Sequence, residues 1–338
     1  VGDIHGELDA LQALLAVLGY RPDGSHPDGR SLVFVGDLCD RGPDSPGVIH
    51  LVAGLVAAGR AQCLLGNHEL NILRGATKPA NGWFFAEDHD KASGRFLDCR
   101  PATARDRDVF PAFLAGLPLA LEREDLRVVH AAWHGPSLAS LASEPLGRPV
   151  LDIYRQHAAA TGQWARTHPI TAGLQAEMHA WGPHMDKEGV RVPLLVATGT
   201  MDEHFQMSNP VRVLTSGVER LAAEPFFASG KWRMVDRVPW WDEYRDEKPV
   251  LFGHYWRWSD PGAAALFSRG ERDLFAGVAR NRWLGPRRNA FCVDFSVGVR
   301  YRERARAQGK PFLGRLGAVR WPERELAFDD GELLPLTV

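Results

Sequence analysis

Five segments of this chain place aspartate, asparagine or histidine where an apolar run stops, and this arrangement constrains the fold more than any other feature. They are Gly2-Asp3-Ile4-His5-Gly6, Gly36-Asp37-Leu38-Cys39-Asp40-Arg41-Gly42, Gly66-Asn67-His68-Glu69, His130 after residues 127–129, and His254 after residues 250–253. Open α/β sheets gather ligands at the carboxyl ends of their strands. Glycine beside such residues lets the backbone turn sharply and lets a ligand approach.

The pattern between these segments supports that reading. Residues 7–18 carry Leu8, Leu11, Leu14, Leu15 and Leu18 at helical spacing, 31–35 and 62–65 read as short buried strands, and 48–58 reads as a second helix. This βαβαβ rhythm implies a partly parallel sheet with helices packed on it. Further strands are expected at 126–129, 249–252 and 290–295. The stretch 131–248 has no clean period and reads as helices and loops on a sheet core. The expected organisation is one catalytic domain over 1–338 with a helix- and loop-rich insertion at about 135–247. The tryptophans of that stretch, Trp133, Trp164, Trp181, Trp232, Trp240 and Trp241, are read first as core-filling residues.

Composition excludes some classes. A net charge of −2 over 338 residues argues against a protein built mainly to grip nucleic acid. No apolar run reaches the length of a membrane span. Cys39, Cys63, Cys99 and Cys292 form no CxxC pair and read as reduced thiols. A cytoplasmic location is expected. The chain opens at Val1 directly before a motif, so its start is expected to be trimmed, and an upstream targeting segment stays open.

Carboxylates and imidazoles drawn from separate strand ends suit a pair of divalent ions. Asp37 has two oxygens and can bridge them. Two ions ~3.5–4 Å apart activate a water and stabilise both the attacking and leaving oxygens of an in-line displacement. His68 is better placed to protonate a departing alkoxide, as a general acid. Arg41 would hold phosphate oxygens through its forked donors. Mixed oxygen and imidazole ligands suit Mn²⁺, Fe or Zn²⁺, with Mn²⁺ preferred.

These motifs resemble the calcineurin-like metallophosphoesterase superfamily, and most closely bacterial members of its phosphoprotein phosphatase branch, marked by GDxHG, GDxxDRG and GNHE followed by two separated histidines. The resemblance implies a four-layer α/β/β/α sandwich of two mixed sheets flanked by helices. It implies that Asp3, His5 and Asp37 hold one metal, Asp37 bridging, and that Asn67, His130 and His254 complete the second. His68 would be the acid oriented by Asp40, with Arg41 and Asn67 meeting substrate. In Gly253-His254-Tyr255-Trp256 a tryptophan stands where nuclease-like members carry a second histidine, which points to phosphatases. The stretches 293–298 and 314–320 look like the closing hairpin of bacterial members.

The sequence departs from the eukaryotic phosphatases at His130-Ala131-Ala132-Trp133, and a second phosphate-binding arginine is not evident, Arg212 and Arg237 being the candidates. Expected substrates are phosphomonoesters, small or on a protein. The alternative is a dinucleoside polyphosphate, since Gly66-Asn67-His68-Glu69-Leu70-Asn71-Ile72-Leu73 resembles those hydrolases, although they usually carry aspartate at the Glu69 position. A non-catalytic scaffold would have lost a ligand or the acid, and none is missing here. Asp294 is a candidate to support a ligand histidine, Glu69 is assigned to the turn after Asn67, and His134 reads as a surface or capping residue.

Overall fold

A computed structural model describes residues 1–338 apart from 87–95, 97, 229, 261, 264–265, 267–269, 271 and 307–310. In chain order the strands are β1 (Leu32–Phe34), β2 (Ala61–Cys63), β3 (Ala120–Glu122), β4 (Arg127–Val129), β5 (Glu219–Ala228), β6 (Lys231–Arg237), β7 (Val250–Phe252), β8 (Ala290–Cys292), β9 (Gly317–Arg320), β10 (Glu325–Phe328) and β11 (Leu333–Pro335). The helices that position the site are α1 (Leu8–Val17), α2 (Ser45–Ala57), α3 (Asn67–Leu73) and α4 (Gly82–Phe85).

Two mixed sheets face each other. In the first, β1 and β2 pair in parallel while β9, β10 and β11 are antiparallel. The chain start stitches these halves together: Val1 bonds Val33 and Val35 beside β1, and Gly2 N–H donates to Gly317 O of β9. The second sheet runs β3-β4-β7-β8, with β3 antiparallel and the rest parallel.

Alternation along each strand sorts the layers. Val128, Leu251 and Phe291 turn inward to meet Val35, Leu64, Leu326 and Phe328 between the sheets. Their neighbours Val129, Phe252 and Cys292 turn outward onto Val213, Leu214, Trp240 and Trp241. On the far side Leu11 and Leu14 of α1 and Val48 and Val52 of α2 cover Leu32, Phe34 and Cys63. Asp44 caps α2 by accepting from Gly47 N–H, and Pro46 sits in its first turn, where a missing N–H costs nothing. The order is helix, sheet, sheet, helix, as the resemblance implies.

The insertion differs from expectation. It holds helices at Gly135–Ala142, Val150–Thr167, Ile170–Trp181, Val196–Met207 and Pro210–Ser216, but also β5 and β6, the longest strands described. Pro225 and a register shift between Leu221 and Phe226 break the alternation that marks a strand in sequence. A small separate core of Val192, Leu195 and Met234, joined by Trp181 and Trp232, holds this hairpin to its helices. Trp240 and Trp241 are buried core residues, and Trp164 stacks on His168 and His204.

The expected closing hairpin is also displaced. Residues 295–296 and 315 meet in parallel, Ser296 turns into a short 3-10 helix, Val297–Val299, and the hairpin is formed by β9 and β10. No described helix is long and apolar enough to cross a membrane.

Candidate metal centre

The site is built on turns that ordinary residues avoid. His5, Asp37, Asp40, Arg41, His254 and Trp256 all have left-handed backbone, with φ of 50, 49, 73, 74, 71 and 56°. Each such residue costs on the order of 1–3 kcal/mol, so the surroundings must hold it in place. At the Asp37 turn that hold comes from Glu69, fully buried at 0% exposure. Its carboxylate accepts N–H bonds from Asp37, Leu38, Cys39 and Gly66 at 2.9, 2.8, 3.3 and 3.1 Å. Burial, with Asp37 nearby, pushes its pKa up to about 7. Sequence reasoning kept Glu69 away from the metals but missed that it pins the Asp37 turn. Gly36, with φ 105°, is needed because a Cβ there would stand 2.7 Å from Gly66 N and 3.0 Å from His130 Nδ1.

Within this frame the candidate ligands converge. Asp37 Oδ2 lies 3.8 Å from both His5 Nε2 and His68 Nε2, while Oδ1 lies 3.4 Å from His130 Nε2. Asp3 Oδ2 is 4.0 Å from His5 Nε2, and the Asp3 carboxylate accepts the His254 N–H. Asn67 Oδ1 sits between His130 Nε2 at 3.2 Å and His254 Nδ1 at 2.8 Å. Two groups of potential ligands result, His5 with Asp37 and His68, and Asp37 with His130 and His254. Cys39 O accepts from His5 Nδ1 and Val35 O from His130 Nδ1; carbonyls only accept, so both rings turn a bare Nε2 inward.

These groups fit divalent metal on their own chemistry. Burial, then the Arg41 charge, lowers His5 well below the usual imidazole value. Burial, then Arg237, does the same to His254, so both rings are neutral donors. His254 Nε2 is buried without a hydrogen-bond partner among the described residues. The Asp3 carboxyl is pushed well up by burial and by Asp294 and Asp37, a crowding of carboxylates that a cation would relieve.

A second layer surrounds the ligands. Asp40 accepts from His68 Nδ1 at 2.5 Å and from the buried Trp83 indole N–H at 2.6 Å. Arg41 donates to His5 Nε2, its other terminal nitrogen lies 3.1 Å from His68 Nε2, and its guanidinium lies 4.7 Å over the Trp256 ring. Trp83 carried no signal in sequence: it follows His68 by fifteen positions outside any motif. Asp294 accepts the N–H groups of Trp256 and Ser296, both at 2.8 Å, supporting the His254 loop through backbone and not through an imidazole. Gly298 lies against His5 and Arg41, where a Cβ would stand 2.5 Å from His5 Cδ2. His134 caps the helix Gly135–Ala142, as expected. Of the candidate second arginines, the charge of Arg237 lowers His254 and that of Arg212 lowers Arg74.

Known proteins resemble parts of this chain. Over 71 residues the chain is 51% identical to the asymmetrical bis(5'-nucleosyl)-tetraphosphatase PrpE of Halalkalibacterium halodurans, taking in 20% of this chain and 29% of that protein. Over 73 residues it is 42% identical to the symmetrical bis(5'-nucleosyl)-tetraphosphatase of Ralstonia nicotianae, taking in 22% and 23%. The chain thus spans less than a third of the length of these curated relatives. A cold-active protein-tyrosine phosphatase from a psychrophilic Shewanella superposes over 99% of this chain and 78% of that one, at 16% identity and a TM-score of 0.47. The family model for calcineurin-like phosphoesterases matches residues 1–164, which contain the first three motifs and His130. Over residues 1–164 the chain is thus similar to the calcineurin-like phosphoesterases.

Proposed function

We propose that this chain hydrolyses phosphate esters with two divalent metal ions, Mn²⁺ being preferred over Fe and Zn²⁺. The observation that carries the reading is the position of Asp37, whose two oxygens face different imidazoles, His5 and His68 on one side and His130 on the other. Asp3, His5 and Asp37 would hold one ion, and Asp37, Asn67, His130 and His254 the other. Bound there, the ions supply water activation and offset charge on the phosphoryl group.

The remaining work belongs to the chain. Arg41, stacked on Trp256, presents donors between His5 and His68, where phosphate oxygens would lie. As the imidazolium that its raised pKa favours, His68 would hold Nδ1–H against Asp40 and turn Nε2–H toward the site to protonate the leaving oxygen. Arg237, on the His254 side, is proposed as the second phosphate arginine. The chain is proposed to act as one catalytic domain whose insertion at about 135–247 shapes the cleft.

The preferred substrate is a phosphomonoester, small or on a protein. A second reading, hydrolysis of dinucleoside tetraphosphates, is favoured by the names of the relatives matched over the first motifs. The test is metal-stripped protein given back Mn²⁺, Zn²⁺ or Mg²⁺ and assayed on p-nitrophenyl phosphate, its bis-ester and diadenosine tetraphosphate. Metal-restored turnover that drops by about 10³-fold or more in Asp37→Asn is expected, the scale of losing a reacting-site charge. Turnover unaffected by Asp37→Asn sinks the two-metal reading. Faster turnover of the tetraphosphate selects the second substrate.

A further inference from the structure

The three residues after His254 form two buried anchors around one outward ring. Tyr255 is buried against Trp241 and Phe252, at ring-centroid separations of 5.1 and 5.8 Å. Arg257, 1% exposed, donates through Nη2 to the carbonyls of Ala279 and Arg282 and lies 4.8 Å over the Phe291 ring. Its N–H donates to Asp294 O at 3.0 Å, and its carbonyl accepts from Ser296 Oγ at 3.0 Å. Between these anchors Trp256 is only half-buried. Its backbone is left-handed, at φ 56°, and Asp294 Oδ2 accepts its N–H at 2.8 Å. The indole lies against Arg41, whose guanidinium is 4.7 Å from the ring centroid. Gly298 gives this guanidinium room, since a Cβ there would stand 2.9 Å from Arg41 Nη1.

Among the described residues the Arg41 guanidinium meets this ring, His5 Nε2 and His68 Nε2, and no carboxylate is ion-paired with it. On the two-metal reading both imidazole nitrogens cease to accept from Arg41. An ion on His5 takes the Nε2 lone pair, and His68 carries on Nε2 the proton meant for the leaving oxygen. The Trp256 face depends on neither. It attracts a guanidinium through the negative face of the ring quadrupole, while the N–H fork stays directed outward in its own plane. Without that face a long arginine side chain would give up its rotamer freedom only on meeting phosphate, and affinity would fall accordingly.

Resting on the reading of Arg41 as the phosphate clamp of a phosphoester hydrolase, we propose that Trp256 is a positioning residue. Its indole face holds the Arg41 guanidinium flat beside the metal-loaded centre, with the donors aimed at phosphate oxygens. Trp256 therefore sets affinity for the phosphoryl group and leaves departure of the leaving oxygen to His68.

The test reads binding apart from turnover. The Mn²⁺-loaded full chain is titrated calorimetrically with inorganic phosphate, and p-nitrophenyl phosphate kinetics are run in parallel. The variants are Trp256→Phe, Trp256→Leu, Trp256→Asn (asparagine tolerates left-handed backbone), Arg41→Ala, and Trp256→Leu combined with Arg41→Ala. Phosphate affinity is expected to fall about 5- to 10-fold in Trp256→Leu and Trp256→Asn, the scale of a partly buried cation–π contact, with Trp256→Phe keeping most of it. KM should rise in step while kcat stays nearly constant. The combined variant should bind phosphate no more weakly than Arg41→Ala alone. A loss from Trp256→Leu that persists without Arg41 would overturn the proposal, because the ring would then act on phosphate directly. Lower Mn²⁺ affinity in both ring-less variants would overturn it too, as loosening of the His254 turn. If Arg41→Ala weakens phosphate and the ring-less variants do not, the stacking role fails and the clamp stands. If Arg41→Ala changes nothing, the clamp reading fails and the proposal with it. If no ester is turned over while phosphate binding still depends on the pair, the hydrolase reading fails and the stacking role stands.

Discussion

Asp37 and His68 share one buried site yet hold their protons in opposite ways. Burial alone would raise the Asp37 carboxyl, but His130, His68 and Arg41 hold it below the ordinary carboxylate value. Burial alone would lower the His68 imidazole, but Asp37 and Asp40 outweigh it and raise the pKa above the ordinary histidine value. A group that must donate a proton works below its pKa and fails above it. The alkaline limb of a kcat profile therefore reports the raised value, and Asp40→Asn should move that limb to lower pH while lowering kcat. A limb that stays in place would remove His68 from the acid role. Trp83→Phe keeps the ring but deletes the N–H bond to Asp40, a bond to a charged group worth about 1.5–3 kcal/mol. We expect kcat to fall by about 10-fold or more with KM nearly constant, since Trp83 acts through Asp40 and not on substrate.

Glycine shows how closely the elements constrain the site. A Cβ on Gly253, at the end of β7, would stand 2.1 Å from Asp3 Oδ1 and 2.8 Å from Val35 Cγ2. Gly253→Ala should destabilise the fold by about 1–3 kcal/mol through overpacking and weaken metal binding as well. Gly54 lies within α2 with nothing within 4 Å of its added Cβ, so Gly54→Ala should instead stabilise by about 0.5–1 kcal/mol. Paired denaturation curves check the two signs. Elements of this kind were readable from sequence wherever local pattern and burial agreed. The leucines of α1, the short apolar strands β1, β2, β4, β7 and β8, and the polar residues following them all stood where expected. Among what escaped were the short strands β3, β10 and β11, then β5 and β6, whose Pro225 and register shift hide their alternation, and Trp83, whose importance lies in one bond to Asp40. The coming together of Asp3, His5, Asp37, Asn67, His130 and His254 was legible as a set, but the carboxylate of Glu69 under the Asp37 turn was not.

At the scale of the whole molecule, the centre concentrates buried negative charge. Burial, then Asp294 and Asp37, push Asp3 up, and burial pushes Asp294 up against the opposing N–H bonds of Ser296 and Trp256. A carboxyl whose folded pKa exceeds its unfolded one destabilises the fold progressively as pH rises from the ordinary value through the raised one. The chelated protein should accordingly lose melting temperature across that window, and the metal-loaded protein should lose less. A divalent ion at 100 times its Kd should add about 2.7 kcal/mol. Melting curves that coincide with and without metal would contradict the assignment. The backbone bonds that close this centre reach across the chain, from Asp3 to His254 and from Gly2 to Gly317. Synthesis proceeds from the amino end. A nascent polypeptide therefore presents Asp3, His5, Asp37 and Asn67 to the surrounding solution long before their partners leave the ribosome, and cations met in that interval find an incomplete cage. On the two-metal reading, metal selection falls to a chain in which His130 and His254 have already joined the first three motifs.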